Sequence, residues 1–95
     1  MVDHKFQPEE LTINENDTVI WENKTDLVHS VTCMEDQALK PEDVHLPAGA
    51  QPFNSGDVGP GKKYIHVFHQ PGVYKYFCIP HEALGMRGKI TVVKR

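Results

Sequence analysis

Short runs rich in β-branched and aromatic residues alternate with turn-forming residues along this chain. The turn-forming residues are mainly Asn, Asp, Gly and Pro, and they recur about every eight to twelve residues, which is typical of an all-β sandwich or barrel. The runs between them predict strands near residues 2–7, 10–14, 17–23, 28–34, 53–55, 62–68, 73–79 and 87–94. The pattern therefore predicts an all-β fold of about eight short strands.

Alternation along these strands indicates which side chains face the core, since successive residues point to opposite faces of a sheet. Val19 and Trp21 share one face with Asn23. The strand near 62–68 is ambiguous, because both of its faces carry apolar residues. These are Tyr64, His66 and Phe68 on one face and Ile65 and Val67 on the other.

Residues 35–52 interrupt this rhythm with a long connection, for which we expect about one helical turn. The connection carries two prolines and a group of acidic residues: Glu35, Asp36, Glu42 and Asp43. These acidic residues are most simply interpreted as a solvated face. A docking role is the alternative, because complementary charges steer the encounter of two proteins.

The length and composition restrict the class of protein. The chain is long enough for one domain, residues 1–95, with a single hydrophobic core. Hydrophobic residues make up 39% and charged residues 24%, as is ordinary for a globular protein. The net charge of −3 is interspersed along the chain, which argues against nucleic-acid binding. No apolar run approaches the length of a membrane span.

The chemistry is concentrated in one short loop between the last two predicted strands. There Cys78, His81 and Met86 form the pattern Cys-x2-His-x4-Met, and His29 opens an earlier predicted strand. A soft thiolate with two imidazoles suits copper in both of its oxidation states. A His2Cys set with a weak axial Met is typical of blue-copper electron-transfer sites. One loop would crowd four ligands, so His29 from a distant strand is the candidate that completes the set.

The chain resembles the plastocyanin/pseudoazurin family of cupredoxins over nearly its whole length. The matching segments are 19–23, 29–32, 53–56, 60–64, 71–78, 80–81, 85–86 and 88–92. The resemblance implies a cupredoxin-like Greek-key β-sandwich, and the chain size and ligand-loop spacing are closest to those of plastocyanins. It places His29, Cys78 and His81 on the family's equatorial ligands, and Met86 on its axial ligand, for one Cu(II)/Cu(I) ion per chain.

The resemblance also implies a function without catalysis. The protein would be a monomeric electron carrier that docks briefly, near His81, on redox partners such as cytochromes or a copper enzyme. Residues 1–4 lead into no apolar targeting segment. That leaves open a cytoplasmic protein or one whose leader has been removed, and the family implies a periplasmic, lumenal or extracellular setting. Ser30 stands where the family often has Asn, and its hydroxyl is expected to bond the ligand loop.

Other interpretations of the same residues stay open. A copper carrier or storage protein would favour exposed clusters of Cys or Met. A domain through which electrons enter a larger copper enzyme would need a second metal site. A structural zinc domain is disfavoured by Met86, since zinc prefers four strong tetrahedral ligands. The remaining histidines are assigned no metal role: His4, His45, His66 and His69.

The second cysteine has a simpler interpretation. Cys33 lies at even spacing from His29 in the same predicted strand, as expected of a small buried hydrophobe. A Cys33–Cys78 disulfide is the alternative, because small secreted domains often depend on disulfides. Such a bond would consume the thiolate that the predicted copper site needs.

Overall fold

The computed structural model describes residue 6 and residues 8–94, without the side chains of residues 83 and 84. In this part of the chain, seven strands form two sheets. They are β1 (Glu10–Asn14), β2 (Thr18–Glu22), β3 (Thr32–Cys33), β4 (Phe53–Asn54), β5 (Lys63–Val67), β6 (Gly72–Phe77) and β7 (Arg87–Val93). The all-β prediction is confirmed. The further strand predicted near 2–7 falls largely on residues 1–5 and 7, which lie outside the described residues.

The larger sheet has the strand order β1-β7-β6-β3-β4, and the smaller one pairs β2 with β5. Only the β1–β7 pair is parallel among the described strand pairs, and the others are antiparallel. β6 and β7 form a continuous ladder from Gly72 opposite Val92 to Phe77 opposite Arg87. The loop that joins these two strands therefore emerges at one end of the sandwich, next to the Phe77–Arg87 pair.

The two sheets pack face to face through aromatic side chains. Trp21 of β2 lies between the sheets, with its ring centroid 5.6 Å from that of Tyr76 on β6 and 6.4 Å from that of Phe53 on β4. The inward face of Val19, Trp21 and Asn23 is confirmed, since all three are buried. Aromatic contacts of this kind add to the burial of apolar area, which is the main stabilising contribution of the core.

The ambiguous strand β5 turns its aromatic residues inward. Phe68, just after the strand, is fully buried, and the ring of His66 stacks on Phe53 with centroids 4.4 Å apart. Ile65 on the other face is 59% exposed, opposite Ile20, which is exposed to the same extent. The aromatic face is inward because its rings pack against those of the opposite sheet. The alternation within the strand alone could not predict this orientation.

β3 is shorter than the predicted strand at 28–34. His29 forms only an isolated bridge with Val58. Within 30–31 the backbone N–H groups donate to side chains: that of Ser30 to Cys78 Sγ and that of Val31 to Ser55 Oγ. These donors are therefore unavailable for a regular ladder. β6 likewise ends before 79, since a 3-10 turn at Ile79–Leu84 begins there with Pro80 near its start.

The long connection between β3 and β4 contains two short 3-10 turns, Glu35–Gln37 and Pro41–Asp43, where about one helical turn was expected. The interpretation of its acidic residues as a solvated face is wrong for Asp43. That side chain is only 2% exposed and accepts a hydrogen bond of 2.8 Å from Arg87 Nη1. Among the described residues, no helix has the length and apolar character needed to cross a bilayer.

Candidate metal centre

Three of the four predicted ligands, His29, Cys78 and His81, meet at the end of the sandwich where β6 and β7 are joined. Cys78 follows β6 directly, and Met86 precedes β7 directly. The Cys78 N–H donates to the Met86 carbonyl at 3.0 Å, which continues the pairing of the two strands by one step. His81 lies in the 3-10 turn between them, and its carbonyl accepts from the Met86 N–H at 3.3 Å. The loop thus folds back over its own strand ends.

Three donor atoms converge in this region. Cys78 Sγ lies 3.6 Å from Nδ1 of His29 and 3.4 Å from Nδ1 of His81. The ligand atoms of these three residues all lie within 4.8 Å of one another. Metal–nitrogen and metal–sulfur bonds of about 2.0 to 2.3 Å place neighbouring donor atoms roughly 3 to 4 Å apart. The arrangement therefore has the dimensions of a site for a single ion.

His29 approaches from the other side of the cluster, and its ring is fully buried. Its Nε2 lies 3.0 Å from Thr25 Oγ1, and the Thr25 hydroxyl donates to Asn23 Oδ1 at 2.7 Å. Because this hydroxyl has a single hydrogen, it accepts from Nε2–H of His29. The proton is thus held on Nε2, and the lone pair of Nδ1 faces Cys78.

Asn23 and Thr25 support the position of His29, a role that the sequence analysis did not predict. The buried Asn23 side chain donates to the carbonyls of Leu27 and Val58, at 2.7 and 2.8 Å, and thereby holds the loop that carries His29. The only sequence signal was a polar residue on the inward face of a strand. Buried polar side chains nearly always have hydrogen-bond partners, so such a residue indicates a structured loop.

The Cys78 sulfur is fully buried and accepts a hydrogen bond from the Ser30 N–H at 3.3 Å. The Ser30 hydroxyl accepts from the Ile79 N–H at 2.8 Å, which confirms the expected bond between Ser30 and the ligand loop. Burial raises the pKa of the Cys78 thiol, and hydrogen bonds from Ser30 and His81 lower it in part. A nearby cation would stabilise the thiolate that this environment disfavours.

The two histidines differ in their contact with solvent. His29 is fully buried, whereas His81 is partly exposed. Their rings lie beside each other, with centroids 4.8 Å apart and planes inclined by 52°. Pro80 next to His81 is exposed, and Ile79 is 39% exposed. One edge of the donor cluster therefore reaches an apolar surface, while Met86 is completely buried.

A group of ionisable residues connects the loop between Cys78 and Met86 to the connection between β3 and β4. The sequence analysis did not predict this group. Glu82 and Asp43 are buried and hydrogen-bonded to each other, and Arg87 pairs with Asp43. Burial raises the pKa of Glu82, and the bond to Asp43 adds to this rise. Burial also acts to raise the pKa of Asp43, but the hydrogen bonds from Arg87 and Glu82 outweigh it and hold that pKa low.

The other cysteine and histidines lie elsewhere. Cys33 and Cys78 are both buried free thiols, so the disulfide alternative is wrong. Among the described residues, His29, Cys78 and His81 form the group of three or more potential metal ligands that the fold brings together. His45, His66 and His69 are not part of it, and His4 lies outside the described residues.

Comparison with known proteins agrees with this geometry. A sequence profile described as copper binding proteins, plastocyanin/azurin family, matches residues 2–93. The chain is 36% identical over 89 residues to plastocyanin of Scenedesmus fuscus, covering 92% of this chain and 85% of the relative. It is 35% identical to the chloroplastic plastocyanin of Tetradesmus obliquus, of which it spans 57% while 92% of this chain is covered.

Solved structures of amicyanin have the same fold. The amicyanin of Paracoccus versutus (Thiobacillus versutus) superposes with a TM-score of 0.75 at 28% identity, covering 97% of this chain and 76% of the other. A reduced amicyanin variant superposes with a TM-score of 0.76 at 25% identity and the same coverage. The buried thiol, the two imidazoles and the adjacent methionine are a donor set that fits one copper ion per chain. The chain therefore belongs to the plastocyanin/azurin family of copper binding proteins, with the cupredoxin β-sandwich fold.

Proposed function

We propose that this protein is a single-electron carrier whose copper ion is held by His29, Cys78, His81 and Met86. The bound ion would supply a one-electron couple, Cu(II)/Cu(I), to redox partners. The observation that carries the proposal is the convergence of the buried Cys78 Sγ with Nδ1 of both histidines, at 3.4 and 3.6 Å. A thiolate with two imidazoles and a weak thioether is the donor set of blue-copper electron-transfer sites.

The chain's own contribution is to hold the donors in one arrangement. Thr25 fixes the ring of His29, and Ser30 bonds both the Cys78 sulfur and the backbone after it. Hydrogen bonds of this kind around the ligands orient them and tune the properties of a metal site. Donors held in this way would need to move little when the charge of the site changes, which favours rapid electron transfer.

Burial of the donors argues for a carrier of electrons over a carrier of copper. Cys78 and Met86 are fully buried, whereas a protein that hands its ion to another site needs accessible soft ligands. His81, in contrast, is partly exposed next to Pro80 and Ile79. We infer that partners dock briefly on this surface, since weak redox complexes use small interfaces. The protein would act as a monomer in a periplasmic, lumenal or extracellular compartment.

The decisive experiment is the visible absorption spectrum of the Cu(II)-loaded protein. An intense blue thiolate-to-copper band at one ion per chain is expected, and Cys78→Ser should abolish it. Cys33→Ser is the matched control, because it removes the other buried thiol and should leave the band in place. Absence of the band from the unmodified protein, or its survival in Cys78→Ser, would contradict the proposed site. Copper that passes readily to a chelator, without fast electron self-exchange, would indicate a copper carrier.

A further inference from the structure

We propose that Glu82, Asp43 and Arg87 form a clamp that positions the loop between Cys78 and Met86, so that Glu82 and Asp43 are positioning residues for the metal centre. This inference rests on the proposed function, because it concerns the geometry of the same site. The three residues come from three separate segments: the connection between β3 and β4, the 3-10 turn, and the start of β7.

The first half of the clamp ties the turn to the connection. Glu82 is only 6% exposed, and its two carboxyl oxygens accept from the Leu39 N–H at 2.8 and 2.9 Å. The Lys40 N–H donates to the same carboxyl group at 3.3 Å. The Glu82 side chain therefore accepts hydrogen bonds from backbone N–H groups more than 40 residues away in the sequence. The segment that carries these N–H groups is not part of a β-ladder.

The second half ties the connection to β7. The buried Asp43 side chain lines the same pocket as Glu82, and its Oδ1 accepts from Arg87 Nη1 at 2.8 Å. Asp43 therefore places one carboxyl group beside Glu82 of the turn and bonds it to the first residue of β7. Hydrogen bonds to charged groups are stronger than those between neutral groups. Arg87 is 57% exposed, so only the Asp43 side of this bond is shielded from solvent.

The location of these bonds gives them a role at the site. Glu82 is the immediate neighbour of His81, and Arg87 is the immediate neighbour of Met86. At the ends of the turn, the His81 N–H donates to Cys78 O, the Gly85 N–H to Glu82 O and the Met86 N–H to His81 O. The clamp adds a support from outside the turn, through contacts with segments far away in the sequence.

The support is itself anchored to the larger sheet. His45, two residues after Asp43, forms a backbone bridge with Lys75 of β6, with N–H to O distances of 3.0 and 3.1 Å. Cys33 of β3 shares its single S–H between the carbonyls of both bridge residues. The connection is therefore fixed to the same strand, β6, that leads into Cys78.

Two substitutions of Glu82 test whether the length of its side chain or its carboxyl group is what the metal centre requires. Glu82→Asp keeps the carboxyl group but shortens its reach to Leu39, whereas Glu82→Gln keeps the reach and an oxygen that can accept from the Leu39 N–H. In Glu82→Asp we expect amide exchange of Leu39 in the metal-free protein to accelerate roughly tenfold or more. We also expect the reduction potential and the absorption maximum of the copper-loaded protein to shift. Glu82→Gln should keep all three near their original values.

A control distinguishes positioning from general destabilisation. Val92→Ala makes a cavity in the core at the far end of β7, and it should lower the unfolding temperature while leaving the potential unchanged. The proposal is overturned if Glu82→Asp behaves like the unmodified protein, if Glu82→Gln alone shifts the potential, or if Val92→Ala shifts it equally. Failure of the copper band would refute the proposed function, while amide exchange of Leu39 would still test the clamp.

Discussion

The two cysteines are both completely buried and burial raises the pKa of both thiols, yet the hydrogen bonds at their sulfur atoms differ in direction. The single S–H of Cys33 is shared between two carbonyls, those of His45 and Lys75, which lie 3.4 and 3.2 Å from Sγ. Burial raises its pKa to about 12; a hydrogen bond with the His45 backbone lowers the pKa in part, and Glu35 adds a smaller rise. Cys78 Sγ instead accepts from the Ser30 N–H, which favours a thiolate. At the scale of single residues, the direction of the hydrogen bond distinguishes a structural thiol from a candidate ligand.

This difference predicts how stability depends on pH. The Cys33 thiol has a pKa raised from 9.0 to about 12, so the folded state holds the proton more tightly than the unfolded state. Its contribution to stability is complete below pH 9 and is lost as the pH rises from there toward 12. Between pH 8 and pH 10, this loss should amount to roughly 1 kcal/mol.

Urea unfolding under reducing conditions at these two pH values measures the effect. The free energy of unfolding should fall less with pH in Cys33→Ala than in the unmodified protein, although the variant is less stable at pH 8. Identical slopes in the two proteins would show that the Cys33 thiol is not held in its protonated form by the fold.

At the scale of elements, the β6–β7 pair both supports the core and carries the candidate ligand loop. Gly88 lies directly opposite Tyr76, whose ring packs against Trp21 with centroids 5.6 Å apart. A Cβ atom on Gly88 would lie 2.8 Å from Cε2 of Tyr76, closer than side-chain carbons approach each other in folded proteins. The space that a glycine leaves is therefore filled by the aromatic ring.

Gly88→Ala should destabilise the protein by about 1 to 3 kcal/mol or more, because the added methyl group must displace the buried ring of Tyr76. Gly59→Ala is the matched control, since its Cβ would have a contact of 3.9 Å with Lys62 and should cost little. Thermal and urea unfolding of the metal-free variants provide the comparison. Equal stabilities would mean that the β6–β7 pair adjusts to a side chain at this position.

At the scale of the whole molecule, exposed apolar side chains are next to the donor residues in the sequence or bonded to their support. Val28, next to His29, is 44% exposed; Ile79, next to Cys78, is 39% exposed; and Leu39, whose N–H donates to Glu82, is 71% exposed. An apolar surface with a partly exposed imidazole suits brief contact with another protein, since it makes few specific polar bonds. In the proposed function, His81 lies on the path of the electron.

His81→Gly should reduce electron self-exchange of the copper-loaded protein by at least about tenfold, because the imidazole edge at the docking surface is lost. Added imidazole should restore part of the rate by occupying the open position. His69→Gly is the control, since this exposed histidine lies before β6, at the opposite end of the strand from Cys78. Rates measured by NMR line broadening that stay unchanged in His81→Gly would exclude this route.

Most of the strand positions followed from local alternation, as for Val19 and Trp21, because a strand with one apolar face has one stable orientation. Alternation failed where both faces were apolar, as at Tyr64 and Ile65, and the facing sheet decided the orientation. Asp43 was assigned to a solvated surface because its partner Arg87 is 44 residues away. Contacts between remote residues depend on how the sheets pack, which local patterns do not record.

The donor types and the spacing of Cys78, His81 and Met86 can be read from the chain alone, because all three lie in one short loop and their chemistry is local. The distance of 3.6 Å between His29 Nδ1 and Cys78 Sγ could not be read in this way, since it depends on the packing of two segments 49 residues apart. The support of His29 by Thr25 and of the loop by Glu82 depends on packing in the same way. Such hydrogen bonds form only after the sheets have brought their donors and acceptors together.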